Sequence, residues 1–123
     1  MKIIQRKNII VTEKPEGTKV WYYLFDEYEL HYNEQPPKTT QTWHHHDKIH
    51  ETLLILEGEL IAEWKVNGLV KKQLVKQGDL IETENTPHSF TNDTDKPVKF
   101  IVIKQILTGK DKKDILKNDK VID

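Results

Sequence analysis

Alanine, the residue with the strongest preference for helix, occurs only once in this chain of 123 residues, at Ala62. Isoleucine, valine and threonine together supply 32 residues. Their branched Cβ atoms lose rotamer freedom in a helix and suit the pleated surface of a sheet. The composition therefore argues against a helical bundle and predicts an all-β fold. The length predicts a single domain over residues 1–123.

Charge and cysteine content exclude several classes of partner. The 19 basic and 20 acidic residues give a net charge of −1, so no excess of positive charge favours nucleic-acid binding. Cysteine is absent, which excludes disulfides and thiolate metal sites. Apolar runs such as 53–56 and 100–103 are too short to span a membrane, and residues 1–7 lack a signal-peptide pattern. The sequence therefore predicts a cytoplasmic protein without a nucleic-acid or membrane partner.

Strand-like segments separated by turns run from about residue 19 to residue 107. They are residues 20–25, 28–32, 39–46, 52–56, 60–66, 69–76, 80–83, 87–92 and 98–107. The near-continuous apolar run 52–56 predicts a strand covered on both faces, and Asn67-Gly68 predicts a two-residue type I′ hairpin. Many short strands with tight turns predict a sandwich or barrel. Residues 108–123 are predicted to be a charged tail, with one or two helical turns over 111–117.

Histidines dominate the candidate functional residues. On a strand, residues two apart share a face, so His44 and His46 point the same way. After a short turn, Glu51 can return on the adjacent strand toward the same interior, and His88 can join from a later strand. Three imidazoles and one carboxylate suit Fe, Mn, Ni, Co, Cu or Zn rather than Mg or Ca.

The remaining histidines call for a plainer interpretation. A histidine-rich run is most often a solvated surface feature, and three consecutive histidines also bind metal adventitiously. By parity, His45 and His50 point away from the ligand face and are predicted to lie at the surface, at an interface or behind the ligands. His31 has no evident partner and is predicted to be structural. Trp43 is predicted to pack in the core or at an interface.

The histidine and glutamate positions resemble two short motifs of the cupin superfamily, over residues 38–92. The first motif, His-x-His, four residues, Glu, six residues, Gly, is matched by His44, His46, Glu51 and Gly58. The second, a turn glycine, a Pro-x-Gly element, then His, three residues, Asn, is matched by Gly78, His88 and Asn92. A surface histidine run does not account for all of these positions together.

The resemblance implies a single-domain double-stranded β-helix, or jelly-roll barrel, with a core of about residues 19–107 and a short C-terminal tail or helix. It also implies one divalent transition metal ion held by His44, His46, Glu51 and His88. Two turn positions depart from the family pattern. Lys38 stands where a glycine often precedes the first motif, and residues 83–85 replace the Pro-x-Gly triplet.

Parity also predicts the surroundings of the metal. Apolar residues that share a face with the ligands, or lie on the last strand, would form the wall of an apolar cavity: Leu53, Ile55, Phe90, Phe100 and Val102. Each of them is equally compatible with plain core packing. Leu54 and Leu56 have the opposite parity, point outward and are candidates for a homodimer interface.

Two functions are compatible with such a site. The first is a metal-dependent enzyme with dioxygenase-type or isomerase-type chemistry on a small substrate coordinated to the metal, in which Glu51 also moves a proton. The second is a non-catalytic module that senses a metal or a small ligand. A purely structural barrel would leave the four ligand residues unexplained.

Overall fold

The computed structural model describes residues 1–106, which form ten β-strands and one 3-10 helix, Arg6–Asn8. The strands are β1 (Ile10–Glu13), β2 (Lys19–Leu24), β3 (Tyr28–Gln35), β4 (Thr39–Thr40), β5 (His50–Glu57), β6 (Glu59–Val66), β7 (Leu69–Lys76), β8 (Leu80–Glu82), β9 (His88–Asn92) and β10 (Val98–Gln105). The tail predicted at 108–123, with its helical turns, lies outside the described residues. Among residues 1–106, no helix has the length and apolar character needed to cross a membrane.

The strands form two antiparallel sheets. One has the order β1-β2-β3-β10-β5-β8, and the other has the order β4-β9-β6-β7. Inward side chains of both sheets form one hydrophobic core, made of Leu53, Ile55, Leu60, Ala62, Val75, Phe90, Val98, Phe100 and Val102. Strand β10 lies between β3 and β5, and β9 lies between β4 and β6, so strands distant in sequence alternate within each sheet. This is a jelly-roll arrangement, and the predicted all-β fold is confirmed.

Turn chemistry is confirmed where the sequence signal is strongest. Asn67 and Gly68 have φ angles of 51° and 76°, as a type I′ turn requires, and they join β6 to β7. Gly58 has a φ of 88°, and a Cβ atom at this position would lie 3.1 Å from Val98 Cγ2. A side chain there would be strained both by its backbone and by its neighbour.

One strand was missed, and two strand predictions were wrong in part. Strand β1 was missed, because all four of its residues are exposed and show no apolar alternation. The apolar run 52–56 is buried on one face only, and Leu56 is 37% exposed. The strand predicted at 39–46 ends after β4 and resumes as a single bridge at His44. Gln41 pairs with Phe90, whereas His44 pairs with His88, so one extra residue is inserted as a bulge.

The two departures from the motif pattern are both left-handed turns built without glycine. Lys38 has a φ of 56°, and Asn85, at the position of the motif glycine, has a φ of 58°. Glu84 also has a positive φ, of 50°. The backbone therefore keeps the conformation that glycine favours, at an energetic cost that asparagine tolerates better than lysine or glutamate.

Candidate metal centre

The bridge at the bulge places His44 beside His88. The His44 N–H donates to the His88 carbonyl at 3.1 Å, and the His88 N–H donates to the His44 carbonyl at 2.9 Å. Residues paired in this way carry their side chains on the same face of the sheet. The two imidazole centroids are 4.5 Å apart.

Backbone carbonyls fix the tautomer of both rings. Nδ1 of His44 lies 2.9 Å from the Thr42 carbonyl oxygen, and Nδ1 of His88 lies 2.8 Å from that of Thr86. A carbonyl oxygen only accepts, so each Nδ1 carries the hydrogen, and Nε2 of the neutral ring keeps a free lone pair. Metal-binding histidines are oriented in this same way.

Glu51 lies on β5 and is 4% exposed. Its Oε2 atom is 3.3 Å from His46 Nε2, and its Oε1 atom is 3.3 Å from His88 Nε2. Both Nε2 atoms are buried, and neither has a hydrogen-bond partner among residues 1–106. Buried polar atoms without partners are costly. A cation between the carboxylate and the rings would satisfy them.

The donor set fits a transition metal. Ligand atoms of His44, His46 and Glu51 all lie within 4.8 Å of one another, and His88 joins them through its contact with Glu51. Imidazole nitrogens with one carboxylate oxygen suit divalent first-row transition metals. The structure thus brings together all four residues that the sequence predicted as metal ligands.

Local electrostatics favour the ligand-ready forms. Burial raises the pKa of the Glu51 carboxyl, but contact with His88 and the positive charge of Lys104, 3.9 Å away, lower it more, so the pKa lies below its ordinary value. Burial lowers the pKa of His44, although the hydrogen bond to the Thr42 carbonyl opposes this shift. Metal binding needs neutral imidazole and ionised carboxylate, so both shifts reduce competition from protons.

These shifts predict that acid destabilises the metal-free protein in two stages. Burial lowers the pKa of His44 and of His31 below 6.5, and the pKa of Glu51 lies below 4.5. The unfolded chain therefore takes up each of these protons at a higher pH than the folded chain does. The urea midpoint is expected to fall as the pH drops below about 6.5, and again as it drops below about 4.5. Glu51→Gln is expected to lose the lower stage. A midpoint that stays constant between pH 7 and 4 would contradict this account.

Two cavities border the candidate ligands. The first, called the polar chamber here, has a volume of about 40 Å³, and His44 and Glu51 line it. The second, the larger cavity, has a volume of about 320 Å³, and His88 lines it together with apolar side chains of β6, β7 and β8. Phe90 borders both cavities.

The predicted apolar wall is only part of what the structure shows. Four of the five predicted residues line the polar chamber: Leu53, Phe90, Phe100 and Val102. Ile55 does not line it and packs in the core, at 1% exposure. The sequence missed five polar neighbours of the chamber: Lys14, His31, Asn33, Gln41 and Lys104. They come from strands and turns whose pairing is not visible in local spacing.

The other predicted residues lie away from the centre or have partners that were not foreseen. His45 is exposed beside Asp47, and His50 contacts Glu82. The interpretation of His31 as lacking a partner was wrong, since its Nε2 lies 2.8 Å from Oε2 of Glu29.

Trp43 was predicted to be core or interface packing. It is 38% exposed, and the Lys65 ammonium lies 4.9 Å from its ring centroid. It is therefore not a core residue.

Asn92 joins the loop after β9 to neighbouring backbone, since its amide donates to the carbonyls of Gln35, Pro36 and Lys96.

Asn85 is a supporting residue that the sequence did not single out. Its side-chain amide donates to the carbonyls of His46 and Ile49. These two hydrogen bonds hold the loop that carries His46. The only signal was its place at the motif glycine. Asn85 thus combines a left-handed backbone with a contact that glycine lacks.

Replacing Asn85 with glycine is expected to keep the turn but weaken metal affinity by about tenfold, the lower end of what loss of a support behind a ligand costs. The measurement is competition with a chelator of known affinity. Lys38→Gly, at the other left-handed turn, is the matched control and is expected to leave affinity unchanged. Equal affinities for the wild type and Asn85→Gly would refute the supporting role.

Several solved structures share this fold at low sequence identity. A predicted oxalate decarboxylase from Thermotoga maritima has a TM-score of 0.74 and 19% identity, over 86% of this chain and 100% of that chain. CENP-C of Drosophila melanogaster, bound to CAL1, has a TM-score of 0.73 and 21% identity, over 84% and 85%. A sugar phosphate isomerase from Silicibacter pomeroyi has a TM-score of 0.68 and 16% identity, over 86% and 76%.

Sequence similarity identifies a family but no individual relative. No curated protein matches this chain. The family model described as the cupin domain matches residues 31–104, which include all four candidate ligands. The chain belongs to the cupin family.

Proposed function

We propose that this chain is a metal-dependent enzyme that acts on a small substrate coordinated at the centre formed by His44, His46, Glu51 and His88. The observation that carries the proposal is the pair of buried Nε2 atoms, of His46 and His88, that face Glu51 and have no hydrogen-bond partner within residues 1–106. Four protein ligands on a metal that accepts five or six leave one or two positions for substrate. The larger cavity, of about 320 Å³, has the size of a small-molecule site.

The residues around the centre have separable roles in this proposal. A bound divalent transition metal would polarise a carbonyl or enolate oxygen of the substrate, and a redox-active one would also support oxygenase chemistry. Glu51, ionised and buried, accepts a proton from the substrate at one carboxylate oxygen. Phe90, which borders both cavities, excludes water and so strengthens electrostatic interactions at the reacting atoms.

Turnover by the metal-loaded protein tests this proposal. Protein reconstituted anaerobically with Fe(II), Mn(II), Ni(II), Co(II) or Zn(II) is assayed for oxygen uptake over a panel of diketones, thiols and flavonols. Deuterium exchange of α-protons, followed by NMR, detects the isomerase branch. We expect turnover with at least one metal and substrate, and its loss in Glu51→Gln but not in His45→Ala. Bound metal without any turnover, together with tight binding of a small ligand, would refute the proposal that the chain is an enzyme.

A binding module is the second candidate function. The CENP-C structure, a neighbour of the same fold, is bound to a protein partner. This fold is therefore found in a complex with a partner as well as in proteins described as enzymes. For this chain the metal ligands favour catalysis, and the turnover assay separates the two candidates.

We further propose that the chain works in the cytoplasm as a homodimer. Leu56 is 37% exposed on the outer face of β5, and Leu54, two residues earlier on the same strand, is half-buried. Apolar side chains on the outer face of a sheet favour association with a second copy. Sedimentation as a monomer at micromolar concentration would refute the dimer.

A further inference from the structure

We propose that the ligand of this centre is an organic anion whose carboxylate or enolate oxygen lies in the polar chamber against Lys104 and Lys14. The inference rests on the proposed metal centre and adds to it the chemical class of the substrate. Two lysines and one carboxylate line the chamber, and the carboxylate is Glu51. Among the side chains that line the chamber, positive charge is therefore in excess by one before any metal binds.

Strand pairing points Lys104 into the chamber. Lys104 lies opposite Glu51 on β5 and opposite Glu29 on β3, and directly paired residues share a face of the sheet. Its ammonium lies 3.9 Å from Oε2 of Glu51, and its side chain is 25% exposed. Once a metal takes the charge of Glu51, Lys104 is left without its nearest buried counter-ion. An anionic ligand would replace that counter-ion.

Lys14 enters the chamber from the turn after β1. Its N–H donates to the Thr18 carbonyl at 2.9 Å, and its carbonyl accepts from the Gly17 N–H at 2.8 Å, so the turn holds its backbone in place. Burial lowers the pKa of Lys14, and the like charge of Lys104 lowers it too, against the opposing effects of Glu16 and Glu51. Two half-buried lysines that line one chamber favour an anion between them.

The acidic residues nearby outweigh the two lysines in the metal-free protein, but they do not once a divalent metal is bound. Glu29 hydrogen-bonds His31. Glu16 accepts a hydrogen bond from Thr18, and its negative charge stabilises the charged form of Lys14. With both of them counted beside Glu51, a divalent metal and the two lysines still leave one positive charge in excess. A monoanionic ligand makes this site neutral.

The chamber volume sets the size of the group that enters it. A cavity needs about 10–15 Å³ for one water-sized atom, so about 40 Å³ holds about three such atoms. A carboxylate group has three heavy atoms. The remainder of the ligand would lie in the larger cavity, where Trp64, Val75, Ile81 and Phe90 provide an apolar lining.

Ligand binding to the Co(II)-loaded protein tests the anion. Pyruvate and its neutral amide, pyruvamide, are titrated by calorimetry and by the visible spectrum of cobalt. We expect pyruvate to bind at least about tenfold more tightly than pyruvamide, the effect of one charged hydrogen bond. Lys104→Gln is expected to remove the preference, Lys14→Gln to weaken it, and Lys104→Arg to restore it. Lys99→Gln is the matched control, since Lys99 lies on the same strand but pairs with Glu57 at 3.2 Å.

Metal content, measured first, separates this inference from the proposed centre. Wild-type protein without cobalt would refute the centre itself, and the inference with it, before any ligand is added. Cobalt-loaded protein that binds pyruvate and pyruvamide equally would overturn the inference of an anionic ligand but not the metal centre. A preference retained in Lys104→Gln would overturn it too. So would a loss of cobalt in that variant, because Lys104 would then act on Glu51 rather than on the ligand.

Discussion

Replacing His88 with alanine is expected to weaken transition-metal affinity by at least about 100-fold. That figure is the upper end of the cost of losing a partner behind a ligand, and loss of a ligand itself costs more. Nε2 of His88 is buried and lies 3.3 Å from Oε1 of Glu51. The hydrogen bond from Nδ1 to the Thr86 carbonyl fixes the tautomer of the ring. The variant keeps the carboxylate but removes the nitrogen that faces it. Elemental analysis after chelator competition measures the change.

The control for His88→Ala is another histidine of the same cluster. His45→Ala is expected to bind metal as the wild type does, because His45 is exposed and its ring lies 3.2 Å from Asp47 instead. His46→Ala, in the loop before β5, is expected to lose affinity like His88→Ala, and it leaves strand β9 intact should the first variant fold poorly. Wild-type metal content in both ligand variants would show that the centre is wrong.

Replacing Phe100 with alanine is expected to reduce the free energy of unfolding by about 3–5 kcal/mol. Phe100 is 1% exposed on β10, in register with Asn33 on β3 and Ile55 on β5. The cavity left there lies at the centre of the six-stranded sheet, where neighbours on both sides limit collapse. Urea unfolding with a shared slope measures the loss.

Phe25→Ala is the matched control for the core prediction. Phe25 is 37% exposed and stacks on Tyr28, with centroids 4.7 Å apart. Its removal is expected to cost at most about 1.5 kcal/mol, the upper value for an aromatic pair. Equal losses for the two phenylalanines would contradict the assignment of β10 to the centre of the core.

Local patterns in the sequence were enough to predict the all-β fold and the four candidate ligands that the structure brings together. Period-two alternation marks the buried face of β6, and Asn67-Gly68 marks the hairpin after it, since both depend only on neighbouring residues. Strand parity also predicted that His44 and His46 share a face. Their ring centroids do lie 5.7 Å apart, although His46 follows the bridge at His44 and lies in the loop before β5.

Contacts between distant strands could not be predicted in the same way. Lys104 faces Glu51 only because β10 pairs with β5 in one register, and Lys14 enters the chamber from a turn after an exposed strand without alternation. Asn85 was missed because the loop that it holds is separated from it by β5 to β8. The polarity of the chamber is thus a property of tertiary pairing.

The metal content of untagged protein tests the central claim most directly. We expect close to one equivalent of a divalent transition metal per chain after purification or anaerobic reconstitution, with the loss of that metal in His88→Ala. A metal content near zero after reconstitution with each of Fe(II), Mn(II), Ni(II), Co(II), Cu(II) and Zn(II) would contradict the account.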